Sequence, residues 1–310
     1  MVQSLLLMAL RIANTAAKFL LTIYTARYLG LSDLGIYGLL VGATTMLPAI
    51  LGLGTTDWVL RHIATMPRDE AIASTATRLA LPVMLHAVVQ PILWVVNHAL
   101  GTPVPWHLMF TGGAILFLDH IASDTSDLLV GRGRIYLANI IFFMRAGLWP
   151  PVVIAWGLLD PSARTLECVL LGWLCSLVLT WIVLAAHLFA QSRWRAVGMR
   201  ASWIAGGVRA SVPFYIKDLT GSVSLYLDRF LLSAFLGLEL TGVYTLFWSV
   251  ANVLQNLVVF SVVHPNLRRM IESAQQPDPA AFRTLERKLQ VEGGLWIAAL
   301  AIAASIALFL

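Results

Sequence analysis

The chain is built from apolar blocks about as long as a bilayer is thick, roughly 20 residues each. That restricts it to few architectures, because hydrocarbon offers backbone N–H and C=O groups no water to bond with. A continuous apolar segment of this length satisfies them internally, as a helix. Nine such blocks run over roughly 5–27, 34–56, 78–98, 107–128, 138–158, 165–190, 210–232, 242–262 and 291–310. Composition agrees. The 310 residues are 59% hydrophobic and 12% charged, with a mean hydropathy of +0.80, whereas a soluble domain is about 25% charged. The expected fold is an all-α polytopic transmembrane bundle of about nine helices. The first block is interrupted by Arg11 and Lys18 and runs on without a cleavage signal, so it reads as a mature helix.

The chain also repeats itself. TARYLGLSDLGIY at 25–37 and LSAFLGLELTGVY at 232–244 share Leu-Gly, four residues, then Gly-x-Tyr. Leu29, Gly30, Gly35 and Tyr37 fall on Leu236, Gly237, Gly242 and Tyr244 at one offset, 236 − 29 = 207, which also carries Arg61 onto Arg268. Two pseudo-symmetric helical repeats are expected, an arrangement that places transport paths at the repeat interface. The reading divides the chain into a first six-helix bundle at 1–190, a basic linker at 191–209 (SRWRAVGMRASW within it) lying along the anionic inner leaflet, and a second bundle at 210–310. Position 310 corresponds to 310 − 207 = 103, so the second repeat is expected to be incomplete, in a truncated chain or an unusually short relative.

Basic residues set the orientation. With the N-terminus in the cytoplasm, the inner connections carry Arg61, Arg68, Arg78, Arg132, Arg134, Arg193, Arg195, Arg200, Arg209, Arg268, Arg269, Arg283, Arg287 and Lys288, and the outer ones only Arg27 and Arg164. This is the asymmetry of a multi-pass membrane protein. The net charge of +5 is therefore a topology signal and implies no nucleic acid. Cys168 and Cys175, seven apart on one helix, are too far apart to bridge and read as packing residues. His86, His98 and His107 read as interfacial residues without metal-ligand spacing, and no metal or cofactor is expected. Prolines within spans (Pro48, Pro82, Pro91 and Pro213 among them) read as kinks. No phosphate-binding loop, zinc motif or nucleophile elbow is present.

Charges inside spans cost roughly 2.5–3.5 kcal/mol each on insertion scales and usually face a cavity or a partner. Here they form helical stripes. Arg11, Asn14 and Lys18 share one face of the first helix, and Lys217, Gly221, Ser224 and Asp228 one face of the seventh, with Asp218, Ser222 and Arg229 alongside. The fourth helix carries His120, Asp124 and Asp127 on one face with Asp119 beside it, and the fifth carries Arg145. The pattern predicts a hydrated cavity with a cationic wall of Arg11, Lys18, Arg145 and Lys217, suited to a phosphate-bearing ligand. The bland alternative is internal pairing, of Arg11 with Asp218 or of Lys217 with an Asp of the fourth helix.

These residues bring a family into view. LTIYTARYLGLSDLGIYGLL followed by GLGTTDWVLRHIA resembles the first repeat of the polysaccharide (O-antigen) flippases, in the superfamily of the MATE drug exporters and lipid II flippases. SVPFYIKDLTGSVSLYLDRFLLSAFLGLELTGVY resembles the start of their second repeat, with Asp228-Arg229 ahead of Leu-Gly, and DLLVGRGRIYLANI their connection between helices 4 and 5. The resemblance implies an undecaprenyl-diphosphate-linked oligosaccharide as substrate, passed from inner to outer leaflet of the bacterial inner membrane by alternating access. Arg11, Asn14, Lys18, Arg145 and Lys217 would hold its headgroup. Asp119, Asp124, Asp218, Asp228 and Arg229 would bind coupling H+ or Na+ or act as gates, and other polysaccharide-assembly membrane proteins are conceivable partners. Three rivals remain: a cation-coupled drug exporter of the same superfamily, a membrane glycan polymerase or ligase, and an inactive fragment. The basic stripe argues against the first. The short outer connections (28–33, 99–106, 159–164 and 233–241) leave little room for the catalytic loop of the second.

Overall fold

A computed structural model describes residues 2–63, 68–99, 104–191, 201–259, 282–283, 286–295 and 298. The elements in order are α1 (Val2–Tyr28), α2 (Leu31–Leu51), α3 (Thr55–Ile63), α4 (Arg68–Ala99), α5 (Trp106–Gly131), α6 (Ile135–Ala146), α7 (Trp149–Leu159), a 3-10 turn at Pro161–Ala163, α8 (Leu166–Gln191) and α9 (Ala201–Val258). Residues 286–295 are also helical, and no strand occurs among the described residues. Among the described residues, five segments are long and apolar enough to cross a membrane: Leu31–Leu51, Thr77–Ala99, Ile135–Leu159, Leu166–His187 and Gly206–Asn256. The charged α1 and α5 are not among them, although the 26 residues of α5 reach about 39 Å. The protein is a multi-pass, all-α membrane protein. The expected ninth span lies largely outside the described residues, as do 192–200 of the expected linker. The seventh helix begins at Ala201.

The chain falls into two units, one of Leu20–Thr245 and one joining Met1–Phe19 to Leu246–Leu310. In the larger unit α5 is the central helix, packed by α2, α3, α4, α6 and α8. Its inward positions are small or polar where helices approach closely, with Gly112, Ala122, Thr125 and Ser126 all buried. Membrane helices pack this way because lipid gives them no hydrophobic drive toward each other. Hydrogen bonds support the packing. Ser126 donates to the Ala138 carbonyl (3.1 Å), Trp181 Nε1 to the Leu118 carbonyl (3.1 Å) and Ser176 to the Met144 carbonyl. Ala122, Leu129, Ala138, Ile141 and Leu184 close one core. The Trp149 and Trp173 rings stack 5.2 Å apart at 9°.

The fifth apolar block is two helices. Gly147 and Leu148 break it, and Pro150 enters at the start of α7, where its missing N–H costs nothing. The turn after α2 (Gly52 to Gly54) leads into α3, so Arg61, expected in an inner connection, belongs to a short helix.

The duplication is visible in the backbone. Gly30 has φ 107° and ψ 170°, and its counterpart Gly237 has φ 86° and ψ 175°, a region open essentially only to glycine. Each ends one helical segment and starts the next, so α9 is two arms joined at Gly237. Beyond these breaks the counterparts meet. A Cβ on Gly35 would stand 3.0 Å from the Leu238 carbonyl carbon and 3.3 Å from the Gly242 nitrogen, and one on Gly242 would strike the Leu31 carbonyl. Leu238 is the counterpart of Leu31 (31 + 207) and Gly242 that of Gly35 (35 + 207), so the contact is reciprocal. Gly38 lies against its own counterpart, Thr245. A pseudo-two-fold axis therefore passes between α2 and the second arm of α9, within the unit Leu20–Thr245.

Candidate functional site

The first arm of α9 presents the predicted stripe. Lys217, Gly221 and Ser224 are exposed, Asp228 is half-buried, and no described residue stands within 4 Å of a Cβ placed on Gly221. The Lys217 side chain is 64% exposed and its Nζ bridges Asp57 Oδ2 at 2.8 Å and Asp218 Oδ1 at 3.1 Å. The carboxylates holding it come from α3 and its own helix, not from the fourth span. The same stretch of α9 lies against α3. Gly54 nears the Ser211 carbonyl and the Tyr215 nitrogen, Trp58 covers Gly207, and the Arg61 guanidinium lies 4.4 Å from the Phe214 ring centre.

The members of the expected cationic wall differ in their surroundings. Arg145 is largely buried, and its Nη1 donates to the carboxylate (3.1 Å) and the backbone carbonyl (3.2 Å) of Asp119. Arg145 thus ties α6 to α5 instead of standing alone in a cavity. On α1, Arg11 is exposed, Asn14 is buried at 7% exposure and Lys18 is half-buried. That stripe lies in the other unit.

Asp228 and Arg229 are held differently from Lys217. Arg229 is 1% exposed, donates from Nη1 to the Gly38 carbonyl (3.3 Å) on α2, and lies 5.0 Å from the Tyr226 ring centre. Asp228 accepts from the Tyr244 hydroxyl on the second arm of α9 and from the Arg229 backbone N–H (2.8 Å). The pair clasps the helices that meet at Gly35 and Gly242.

A second polar system is buried between α3, α4 and α5. Arg78 Nη2 meets Asp124 Oδ2 at 2.8 Å and donates to the Thr56 hydroxyl at 2.6 Å, while Thr56 donates to Asp124 Oδ1 at 3.2 Å. His120 lies beside Asp124, and His86 beside His120. His86 is therefore no interfacial residue: it is 2% exposed and packs edge-on against Phe117. Sequence reasoning missed the pair because nothing local links positions 34 apart on different helices. Arg78, counted with the inner loop, belongs to the helix instead, since α4 starts at Arg68. His107 does sit at an exposed end, 3.0 Å from Glu167.

A family model for polysaccharide biosynthesis proteins matches residues 3–267. The chain belongs to that family. Members of the polysaccharide biosynthesis family are transporters and flippases, so this multi-pass protein belongs with machinery that handles polysaccharide at a membrane. No curated protein and no solved structure matches the chain.

Proposed function

We propose that this protein flips an undecaprenyl-diphosphate-linked oligosaccharide from the inner to the outer leaflet of the bacterial inner membrane, with its N-terminus in the cytoplasm. The observation that carries the reading is the open stripe of Lys217, Gly221 and Ser224 on a helix otherwise apolar enough to span the membrane. An ammonium group within a span, exposed and shared between two carboxylates, is poised to exchange them for a diphosphate. Gly221 leaves room for a bulky polar headgroup, and Ser224 offers a hydroxyl to sugars. Arg11, Asn14 and Lys18 carry the same chemistry on α1. No bond is made or broken, so the protein acts as a carrier.

Alternating access follows from opening and closing the α2–α9 joint, with Asp228 and Arg229 as its clasp. The test is Lys217→Ala in a strain lacking the chromosomal copy. Surface glycan should disappear while the protein level in the membrane holds, and Lys217→Arg should restore part of it. Full surface glycan with Lys217→Ala would overturn the reading.

A further inference from the structure

The headgroup reading leaves the buried system of α4 and α5 unused. Along those two helices the contacts run in sequence. Gln90 Nε2 donates to the Gly113 carbonyl (2.9 Å) and faces His86 Nδ1 (3.4 Å), His86 Nε2 faces His120 Nδ1 (3.1 Å), and His120 Nε2 faces Asp124 Oδ2 (3.5 Å). Arg78 completes the line at the Asp124 carboxylate. His86, His120, Asp124 and Arg78 are all at most 6% exposed.

Donor bookkeeping fixes the direction of the line. A neutral imidazole has one N–H and one lone pair. The Gln90 amide N–H points at His86 Nδ1, so His86 carries its proton on Nε2 and donates to His120 Nδ1. His120 then carries its proton on Nε2, which stands 3.5 Å from Asp124 Oδ2 without yet hydrogen-bonding to it. This set of tautomers suits both hydrogen bonds of the line, from Gln90 to His86 and from His86 to His120, and the reverse set would point N–H at N–H. From Arg78 to Gln90 is twelve residues of α4 (90 − 78), about 18 Å of a hydrocarbon core about 30 Å thick.

We propose that His86 and His120 are a proton relay that loads Asp124 in exchange for Arg78, making Asp124 the proton-binding site that couples transport to the proton gradient. Gln90 first turns aside, into a groove of about 330 Å³ that it lines with Pro91, Trp94, Phe110, Gly113 and Ala114. A proton from water binds His86 Nδ1, the His86 Nε2 proton passes to His120 Nδ1, and the His120 Nε2 proton passes to Asp124. The products are a neutral carboxylic acid and two neutral imidazoles with swapped tautomers, which ring rotation resets. The 3.5 Å gap at Asp124 must close by a few tenths of an ångström for the last step.

The charges around the line decide when it loads. Arg78 on α4 and Arg145 on α6 are cations nearby; Asp57 on α3 and Asp119 and Asp127 on α5 are the acidic groups around it. While Arg78 sits on Asp124, a proton added to that carboxylate would leave the Arg78 cation without its partner anion. Once Arg78 withdraws, Asp124 is a buried lone carboxylate and takes the proton instead. Guanidinium and proton therefore alternate on one carboxylate. Only what is coupled to the proton rests on the flippase reading; the relay itself does not.

The test is made on the full chain reconstituted in liposomes with a trapped pH-sensitive dye, proton entry being driven by a potassium diffusion potential. Wild-type liposomes should acidify faster than protein-free ones, and His120→Asn and His86→Asn should each cut the protein-dependent rate at least tenfold. A wild type no faster than empty liposomes, or two variants as fast as wild type, would overturn the relay. Should the variants misfold by size exclusion, ¹⁵N-histidine NMR of the wild type decides. Both rings protonated on Nε2 alone support the relay, and an Nδ1-protonated ring at neutral pH overturns it. No glycan enters either measurement, so proton entry alongside normal glycan export in Lys217→Ala would sink the flippase reading and leave the relay standing.

Discussion

Replacing Asp124 by Asn removes a charge without changing shape, and the buried network turns that into a large effect. The Arg78 side chain is 1% exposed, and its Nε and Nη1 have no hydrogen-bond partner among the described residues. Nη2 alone reaches the Asp124 carboxylate and the Thr56 hydroxyl. Arginine does not shed its proton in proteins, so Asp124→Asn strands a desolvated cation. Breaking a buried pair in this way costs about 3–5 kcal/mol. Unfolding entropy of about 2.1 cal/mol/K per residue over 310 residues amounts to about 0.65 kcal/mol/K. A loss of about 4 kcal/mol then lowers the melting temperature by about 6 °C.

The mirror substitution, Arg78→Met, should cost less, because the stranded carboxylate can neutralise itself by taking a proton. The double substitution Arg78→Met with Asp124→Leu should recover most of the loss, since an apolar pair of similar volume replaces an ion pair at little cost. Thermal unfolding of the detergent-solubilised chain, followed by size-exclusion chromatography, measures all three. An Asp124→Asn variant that melts with wild type would mean that the carboxylate is not the counter-ion of Arg78. A double variant no better than the singles would mean that packing, not charge, governs the site.

Gly35→Ala should destabilise by about 1–3 kcal/mol, the usual cost of overpacking, because its Cβ would meet the backbone of Leu238, which cannot rotate away. The same melting assay checks it, and an unshifted transition would refute the close crossing. At the short connection before α8, Asp160 accepts from the Ser162 hydroxyl (2.7 Å) and backbone N–H (2.9 Å), which together hold its carboxyl below the usual range. A depressed native value means that the stabilisation is complete above the ordinary carboxylate range, near pH 3.9, and fades as pH falls through the lowered value. Ser162→Ala removes the stronger of the two bonds, so the Asp160 carbon resonance should titrate at higher pH than in wild type. An unchanged midpoint would contradict the assignment.

The spans were legible because hydrocarbon demands uninterrupted apolar helix, and that demand writes itself into composition. The duplication was legible for a related reason: only glycine tolerates the backbone of Gly30 and Gly237, so the break is spelled twice. What stayed hidden depends on contacts between helices. α3 is amphipathic and too short for a hydropathy window, though Trp58, Val59, His62 and Ile63 fall at helical spacing. Arg145 and Lys217 looked alike as lone cations in apolar blocks. Only packing separates one clamped by Asp119 from one left largely open. The His86–His120 link required the antiparallel register of α4 and α5, which no single helix encodes.

The joint between α2 and the second arm of α9 has a consequence for ancestry. Gly35 abuts Gly242 and Gly38 abuts Thr245, so each position is sealed by its own duplicate. A surface of that kind is self-complementary, as in a two-fold dimer. A polypeptide of one half alone would already have owned both faces of this seam and could have paired with a second copy before any gene fusion.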